Sequence, residues 1–231
     1  MPLFYIAIEG IDGAGTTTHS RLLQEKLSQL GYCVHTIEEP SKGPVGAVIR
    51  HALSQGPFRQ DLMTLLFAAD RLYQWYNHVE KIDKDCVLVA DRSFISSLVY
   101  QSLDLFPGSV DVDWIYTVNK HIPKPDLVIY LDVEPEVAFA RLVKRGKLRD
   151  IPEELANLRA LAARYRTVLR MLSGLTTIVP IKGSSNRIDR PLGLVAREVL
   201  LAVLASLKYR ELTRSTQRYV SGRSRYNGDR Q

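Results

Sequence analysis

Hydrophobic positions along the chain fall into short continuous runs, separated by longer segments whose apolar residues recur every three or four positions. Leu3-Phe-Tyr-Ile-Ala-Ile-Glu9 is the first run and ends at a glycine, the pattern of a central parallel strand buried on both faces. From Thr16 to Leu30, residues Leu22, Leu23, Leu27 and Leu30 share one stripe, which predicts a helix stopped by Gly31. Tyr32–Glu38 predicts a second strand, closed by Pro40. Residues 44–56 and 58–83 read as two helices broken at Gly56-Pro57. Cys86–Asp91 and Asp126–Asp132 predict a third and a fourth strand, the latter preceded by Pro123 and Pro125. A helix over 135–145, another over 153–173, a fifth strand over Thr176–Ile181 and a last helix over 191–208 complete the pattern. This alternation predicts an α/β fold, a doubly wound five-stranded parallel sheet flanked by helices, in a single domain over residues 1–208.

A length of 231 residues suits one such domain. With 45% hydrophobic and 24% charged residues, the composition is that of a globular chain. No run approaches the roughly 18 apolar residues of a membrane span, and the N-terminus lacks a charged-then-apolar signal pattern, so a cytoplasmic protein is expected. The two cysteines form no C-x-x-C pair and cannot build a disulfide framework. Cys33 and Cys86 each open a strand-like run and read as small buried thiols, close to one another only if their strands are neighbours.

A net charge of +6 raises nucleic-acid binding as a possibility. Its distribution argues otherwise. Residues 208–231 hold seven basic side chains against Glu211 and Asp229, so most of the excess lies there and the body is near neutral. Residues 209–231 therefore read as a basic, flexible, solvated tail, and no nucleic-acid or membrane partner is expected.

The first strand runs into Gly10-Ile11-Asp12-Gly13-Ala14-Gly15-Thr16-Thr17-Thr18, immediately before a helix. Glycines at 10, 13 and 15 let the backbone turn and aim N–H groups at phosphate oxygens, and the helix N-terminus adds positive potential. This is the strand–G-x-x-x-x-G-K-[ST]–helix arrangement of a P-loop in its proper context, and it implies ATP. Thr16 stands where the lysine is expected. Thr17 supplies the hydroxyl that suits a Mg2+ ligand. Without that cation, either another one substitutes or the chain is a weak or inactive catalyst; the candidates are Arg145, Lys147 and Arg149 in the basic segment after the fourth strand's helix, which otherwise reads as a solvated face.

Three more segments belong at the carboxyl ends of strands, where ligands bind in such sheets. Asp91-Arg92 is followed by Ser96-Ser97 and Tyr100-Gln101. Asp91 can join a Mg2+ shell and Arg92 can grip a phosphate in a bidentate manner. Phe67 and Arg71 share a helix face at i, i+4 spacing, a ring for a base and a guanidinium for phosphate. Glu38-Glu39-Pro40-Ser41-Lys42-Gly43 follows the second strand. Singly, Phe67 reads as core, Asp91–Arg92 as a structural ion pair and Glu38–Glu39 as surface; their joint occurrence at strand ends favours a second substrate site.

Glu9-Gly-Ile-Asp-Gly-Ala-Gly15, Glu39-Pro-Ser-Lys-Gly-Pro44, Leu66-Phe-Ala-Ala-Asp-Arg71 and Asp91-Arg92…Ser96-Ser97…Tyr100-Gln101 together resemble the thymidylate kinase family, from about residue 3 to 205. The resemblance implies the P-loop kinase fold with a small lid over residues 145–152, usually as a homodimer. It implies transfer of the ATP γ-phosphate to dTMP with Mg2+. Asp12 would lie near the sugar 3′-hydroxyl and Arg92, Phe67 would stack on thymine, and Arg71 and Arg92 would hold the base edge or the acceptor phosphate. Ser96 and Ser97 would face the pyrimidine, Tyr100 would crowd the 2′ position, and Tyr165 matches an aromatic after the lid. Arg145, Gly146, Lys147 and Arg149 would belong to the lid over ATP. Thr16 and Glu38 depart from the family pattern. The competing readings are a kinase of another pyrimidine (deoxy)nucleotide and a non-catalytic nucleotide-binding protein.

Overall fold

The computed structural model describes residues 3–56, 59–105, 107–147 and 152–226, with side chains described as far as Thr213 in the last helix. Five parallel strands lie in the order β2-β3-β1-β4-β5, comprising β1 (Phe4–Glu9), β2 (Val34–Glu38), β3 (Val87–Asp91), β4 (Leu127–Asp132) and β5 (Thr177–Lys182). All six residues of β1 are buried, because helices cover both faces of the strand at the centre of the sheet. The expected five-stranded doubly wound sheet is present, with strand ends displaced by one or two residues.

Between the strands run α1 (Thr16–Gln29), α2 (Pro44–Ser54), α3 (Gln60–Asn77), α4 (Phe94–Tyr100), α5 (Val112–Val118), α6 (Pro135–Lys144), α7 (Pro152–Leu172) and α8 (Leu192–Tyr226). The main core joins β1, β3 and β4 to α1, α4, α7 and α8 through Ile6, Ile8, Leu27, Val89, Leu98, Ile129, Tyr165 and Val203. Each such side chain contributes roughly 1.5–3 kcal/mol through burial. On the other face Ile49, Ala52 and Met63 pack α2 on α3, with Phe67 against them.

Several expectations need correction. The helix expected over 58–83 ends at Asn77, where the Asn77 amide donates to the Tyr73 carbonyl, and a short 3-10 turn follows at Val79–Lys81. The helices α4 and α5 were not anticipated; each is one or two turns long, too short for a clear periodicity, and is capped by Ser93 and Asp111 respectively. A two-stranded hairpin of β6 (Ser184–Ser185) and β7 (Ile188–Asp189) was also not anticipated, with Asn186 and Arg187 both left-handed at its turn. The last helix continues past residue 208 to Tyr226, since residues 209–226 contain no proline and only Gly222 as a breaker. The Arg210 guanidinium lies 4.8 Å from the Phe4 ring centroid, so the start of this extension rests on the sheet.

Cys33 and Cys86 are not buried thiols but a disulfide, with Cα atoms 4.7 Å apart. The bridge lies where β2 begins to pair with β3, and β2 is an edge strand with a largely accessible face. Closing a loop with a sequence separation of 53 removes unfolded-state freedom. Reduction, or Cys33→Ala with Cys86→Ala, should lower unfolding stability by about 2–4 kcal/mol in denaturant titrations; equal stability with and without reductant would contradict a bridged native state.

Candidate active site

The turn from β1 to α1 carries Gly10–Thr18. Gly15, at φ 99°, precedes α1, which has neither a side-chain cap nor an acidic residue in its first turn. Its leading N–H groups therefore face an open end suited to phosphate. Gly13 has φ 81°, and a Cβ there would lie 2.6 Å from the Ala138 carbonyl oxygen, so α6 is seated directly against the loop. Ile11 and Ala14 are buried. Thr16 occupies the lysine position and is itself buried.

Parallel pairing sets Ile8 beside Asp91, so the end of β3 lies next to this turn. The Thr17 hydroxyl donates to Asp91 Oδ2 at 2.5 Å, while Asp91 Oδ1 is buried without a hydrogen-bond partner among the described residues. A buried carboxylate oxygen left open beside a hydroxyl, at a phosphate-type loop, is a donor set that fits a hard divalent cation such as Mg2+.

Arg92, the next residue, holds φ at 76°, unusual for a residue with a side chain. Its backbone N–H donates to the Ile8 carbonyl at 3.1 Å, which ties the turn to β1. Its guanidinium donates to the Gly10 carbonyl (3.0 Å), Ser96 Oγ (3.1 Å), the Tyr165 hydroxyl (3.1 Å) and Asp12 Oδ1 (2.7 Å). It also lies 5.3 Å from the Tyr100 ring centroid. The Tyr100 hydroxyl is buried beside Arg92 and Asp12, and burial pushes its ionisation well up, so it stays protonated.

Beneath Arg92 lies Glu9, fully buried, which accepts hydrogen bonds from Ser93 Oγ (2.7 Å), Ser96 Oγ (2.7 Å) and the Tyr165 hydroxyl (2.9 Å). Burial raises the Glu9 carboxyl above its usual range, against the opposing pull of Arg92 and the two serine hydroxyls. Sequence reasoning left Glu9 out of the site. Its signal was a carboxylate ending a wholly apolar run, which demands a buried partner.

Arg71 on α3 is held by both oxygens of Glu39 (2.7 and 2.6 Å), Asn119 Oδ1 (2.9 Å) and Ser97 Oγ (2.8 Å). Arg71 and Glu39 side chains are each 4% exposed, so Glu39 is a buried partner and not surface. The Arg71 guanidinium carbon lies 5.6 Å from the Phe67 ring centroid. Asp70 accepts from both the backbone N–H and the hydroxyl of Ser41, which holds the Glu39–Ser41 turn in place. Ser96 and Ser97 are thus engaged by Glu9, Arg92 and Arg71. Arg145 is exposed just beyond the end of α6, whereas Arg149 lies outside the described residues.

The thymidylate kinase family pattern matches residues 8–190. The chain belongs to the thymidylate kinase family. Relatives assigned as thymidylate kinases include one from Aeropyrum pernix, 36% identical over 209 residues, covering 87% of this chain and 96% of the relative. One from Methanosphaera stadtmanae is 41% identical over 146 residues, 61% of this chain and 72% of the relative. One from Methanothermobacter thermautotrophicus is 39% identical over 159 residues, 67% of this chain and 77% of the relative. The thymidylate kinase match takes in the phosphate loop, Arg71, the Asp91–Tyr100 segment and the β6–β7 hairpin, and it ends before α8.

One further titratable group sits at the loop. His19, one turn into α1, is buried with Nδ1 unpartnered among the described residues, and its pKa is lowered by burial and then by the charge of Arg141. The imidazole is neutral at pH 7 and cannot replace the lysine charge. A histidine depressed in the folded state supports stability above its ordinary pKa of about 6.5 and loses that support as pH falls, because the unfolded chain binds the proton first. Melting temperature should therefore fall between about pH 7.5 and about pH 5.5, and His19→Gln should make that fall smaller; an unchanged pH dependence in the variant would contradict the neutral buried imidazole.

Proposed function

We propose that the chain transfers the γ-phosphate of ATP to dTMP, giving dTDP and ADP on the way to dTTP. The observation that carries this reading is Arg92: one guanidinium joins the phosphate loop, through Gly10 and Asp12, to Ser96, Tyr100 and Tyr165 on the opposite side. A donor and an acceptor phosphate meeting at such a group is what phosphoryl transfer requires.

In this reading ATP lies along Gly10, Ile11, Asp12, Gly13, Ala14, Gly15, Thr16, Thr17 and Thr18, with its phosphates toward the N-terminus of α1. Thr17 and Asp91 would hold Mg2+, which supplies charge neutralisation on the transferring phosphate. Phe67 stacks on the base, Arg71 and Arg92 hold the base edge or the acceptor phosphate, Ser96 and Ser97 line the pyrimidine, and Tyr100 limits the 2′ position. Asp12 takes the 3′-hydroxyl and shares Arg92. A dTMP oxygen attacks the γ-phosphorus, and the bond to the β,γ-bridging oxygen breaks, leaving its electrons on ADP. The acceptor phosphate is already ionised near neutral pH, so no side chain needs to remove a proton. Arg92 steadies the spreading negative charge from a fixed position. Arg145 and Arg149 belong to a lid over residues 145–152 that excludes water. Exposed Val48, Leu53, Leu62 and Leu65 on α2 and α3 support association into a homodimer. No described helix is long and apolar enough to cross a membrane, and a cytoplasmic location remains part of the proposal.

ADP formation from ATP and Mg2+ should depend on dTMP and be faster with it than with dUMP, dCMP or dGMP. Removing Mg2+ with a chelator should abolish it, and Asp91→Asn should lower activity by about 10- to 100-fold and raise the Mg2+ required. Absence of acceptor-dependent ADP release from the wild-type chain would overturn the reading.

A further inference from the structure

Thr16 leaves the phosphate loop without its own cation, yet a guanidinium touches the loop from behind. Arg141, on the last turn of α6, donates through Nη1 to the carbonyl oxygens of Gly13 (2.8 Å) and Ala14 (3.1 Å). Its Nε donates to Asp189 Oδ2 at 3.1 Å, and its Nη2 donates to Asp189 Oδ1. Asp189 lies on β7, and its carboxyl is held below the usual carboxylate range by its hydrogen bond to Arg141. The side chain of Arg141 is 21% exposed, so its charge is only partly screened.

The geometry has a direct consequence for the loop. In a trans peptide the C=O and N–H point in opposite directions. Holding the Ala14 carbonyl toward Arg141 therefore turns the Gly15 N–H toward the other side, where the first turn of α1 opens. The Ala14 N–H, by contrast, is already given to the Ile11 carbonyl at 3.0 Å. A guanidinium on the carbonyl also polarises the peptide and strengthens the N–H as a donor. Gly13 lets α6 approach closely enough for this contact, since a Cβ there would strike Ala138 and Leu142.

We propose that Arg141 is a positioning residue for phosphoryl transfer. It fixes the Gly13 and Ala14 carbonyls, polarises the Ala14–Gly15 peptide whose N–H is turned toward the ATP phosphates, and supplies positive potential behind a loop that lacks lysine; Asp189 is its tether. The inference rests on the kinase reading above. It assigns the compensating charge to the body of the protein, not to Arg145 or Arg149.

Steady-state kinetics of wild type, Arg141→Met, Arg141→Lys and Thr16→Lys/Arg141→Met test it, alongside thermal melts and equilibrium binding of ATP and of dTMP. Wild-type turnover without the expected effects would overturn this inference and leave the kinase reading standing, whereas no wild-type turnover overturns the kinase reading itself. Arg141→Met should raise KM and Kd for ATP about tenfold or more and lower kcat, with the Kd for dTMP within about twofold of wild type. Arg141→Lys should be affected in the same direction but less, since one ammonium cannot serve two carbonyls and a carboxylate together. Thr16→Lys should return part of the lost ATP affinity in the Arg141→Met background. Unchanged ATP parameters in a folded Arg141→Met would overturn the proposal, as would equal losses for ATP and dTMP together with a lowered melting temperature. Should Arg141→Met fail to fold, Arg141→Lys decides: a weakening for ATP alone supports the proposal, and no such weakening overturns it.

Discussion

Parallel pairing of β1 with β3 is the constraint from which the site follows. With Ile8 opposite Asp91, both strands end at the same level, and the turn after each emerges beside the other. A slip of one residue would exchange the two buried faces of β3 and move Asp91 off Ile8, so the packing of Ile6, Ile8 and Val89 on one face and of Leu88 and Ala90 on the other fixes the level at which Thr17 meets Asp91. The left-handed backbone of Arg92 is tolerated because its N–H is anchored on Ile8 and its side chain is held by four acceptors. Strain at that residue aims the guanidinium back across the loop.

The site is rich in buried charge, and Glu9, Arg71 and Arg92 are each matched. Glu9 is surrounded by three hydroxyl donors and faces Arg92; Arg71 is held by Glu39, Asn119 and Ser97. Such pairs add little net stability relative to apolar packing, but losing one partner leaves a costly buried charge. Their effect is to hold rotamers, so both arginines are oriented before a ligand arrives. Arg141 extends the same logic to the back of the phosphate loop, where Asp189 neutralises part of its charge and fixes its direction.

Much of this was legible in the sequence. The apolar runs identified all five strands of the sheet, and Gly10–Thr17 identified the turn from β1 to α1, because Gly13 and Gly15 there adopt a positive φ. The sequence grouped Arg71, Arg92, Ser96, Ser97 and Tyr100, and the structure joins them through Arg71 and Arg92, although nothing in their spacing indicated that Ser96 and Ser97 are occupied by Glu9 and Arg71. What stayed hidden depends on pairings distant in sequence. Glu39 looked like surface until Arg71 arrived from α3, and Cys33 looked like an isolated thiol until β2 paired with β3. Arg141 lies near the basic segment that was considered as the substitute cation, yet its contacts depend on α6 sitting against Gly13, which no local pattern reveals.

The central claim is that donor and acceptor sites converge on Arg92 at the ends of β1 and β3. It is tested most directly by equilibrium binding of a ligand in which adenosine and thymidine are joined 5′ to 5′ through a polyphosphate bridge. With both halves reaching Arg92 as proposed, the joined ligand should displace both ATP and dTMP and bind more tightly than either alone. Binding no tighter than ATP, with dTMP left in place, would contradict convergent sites.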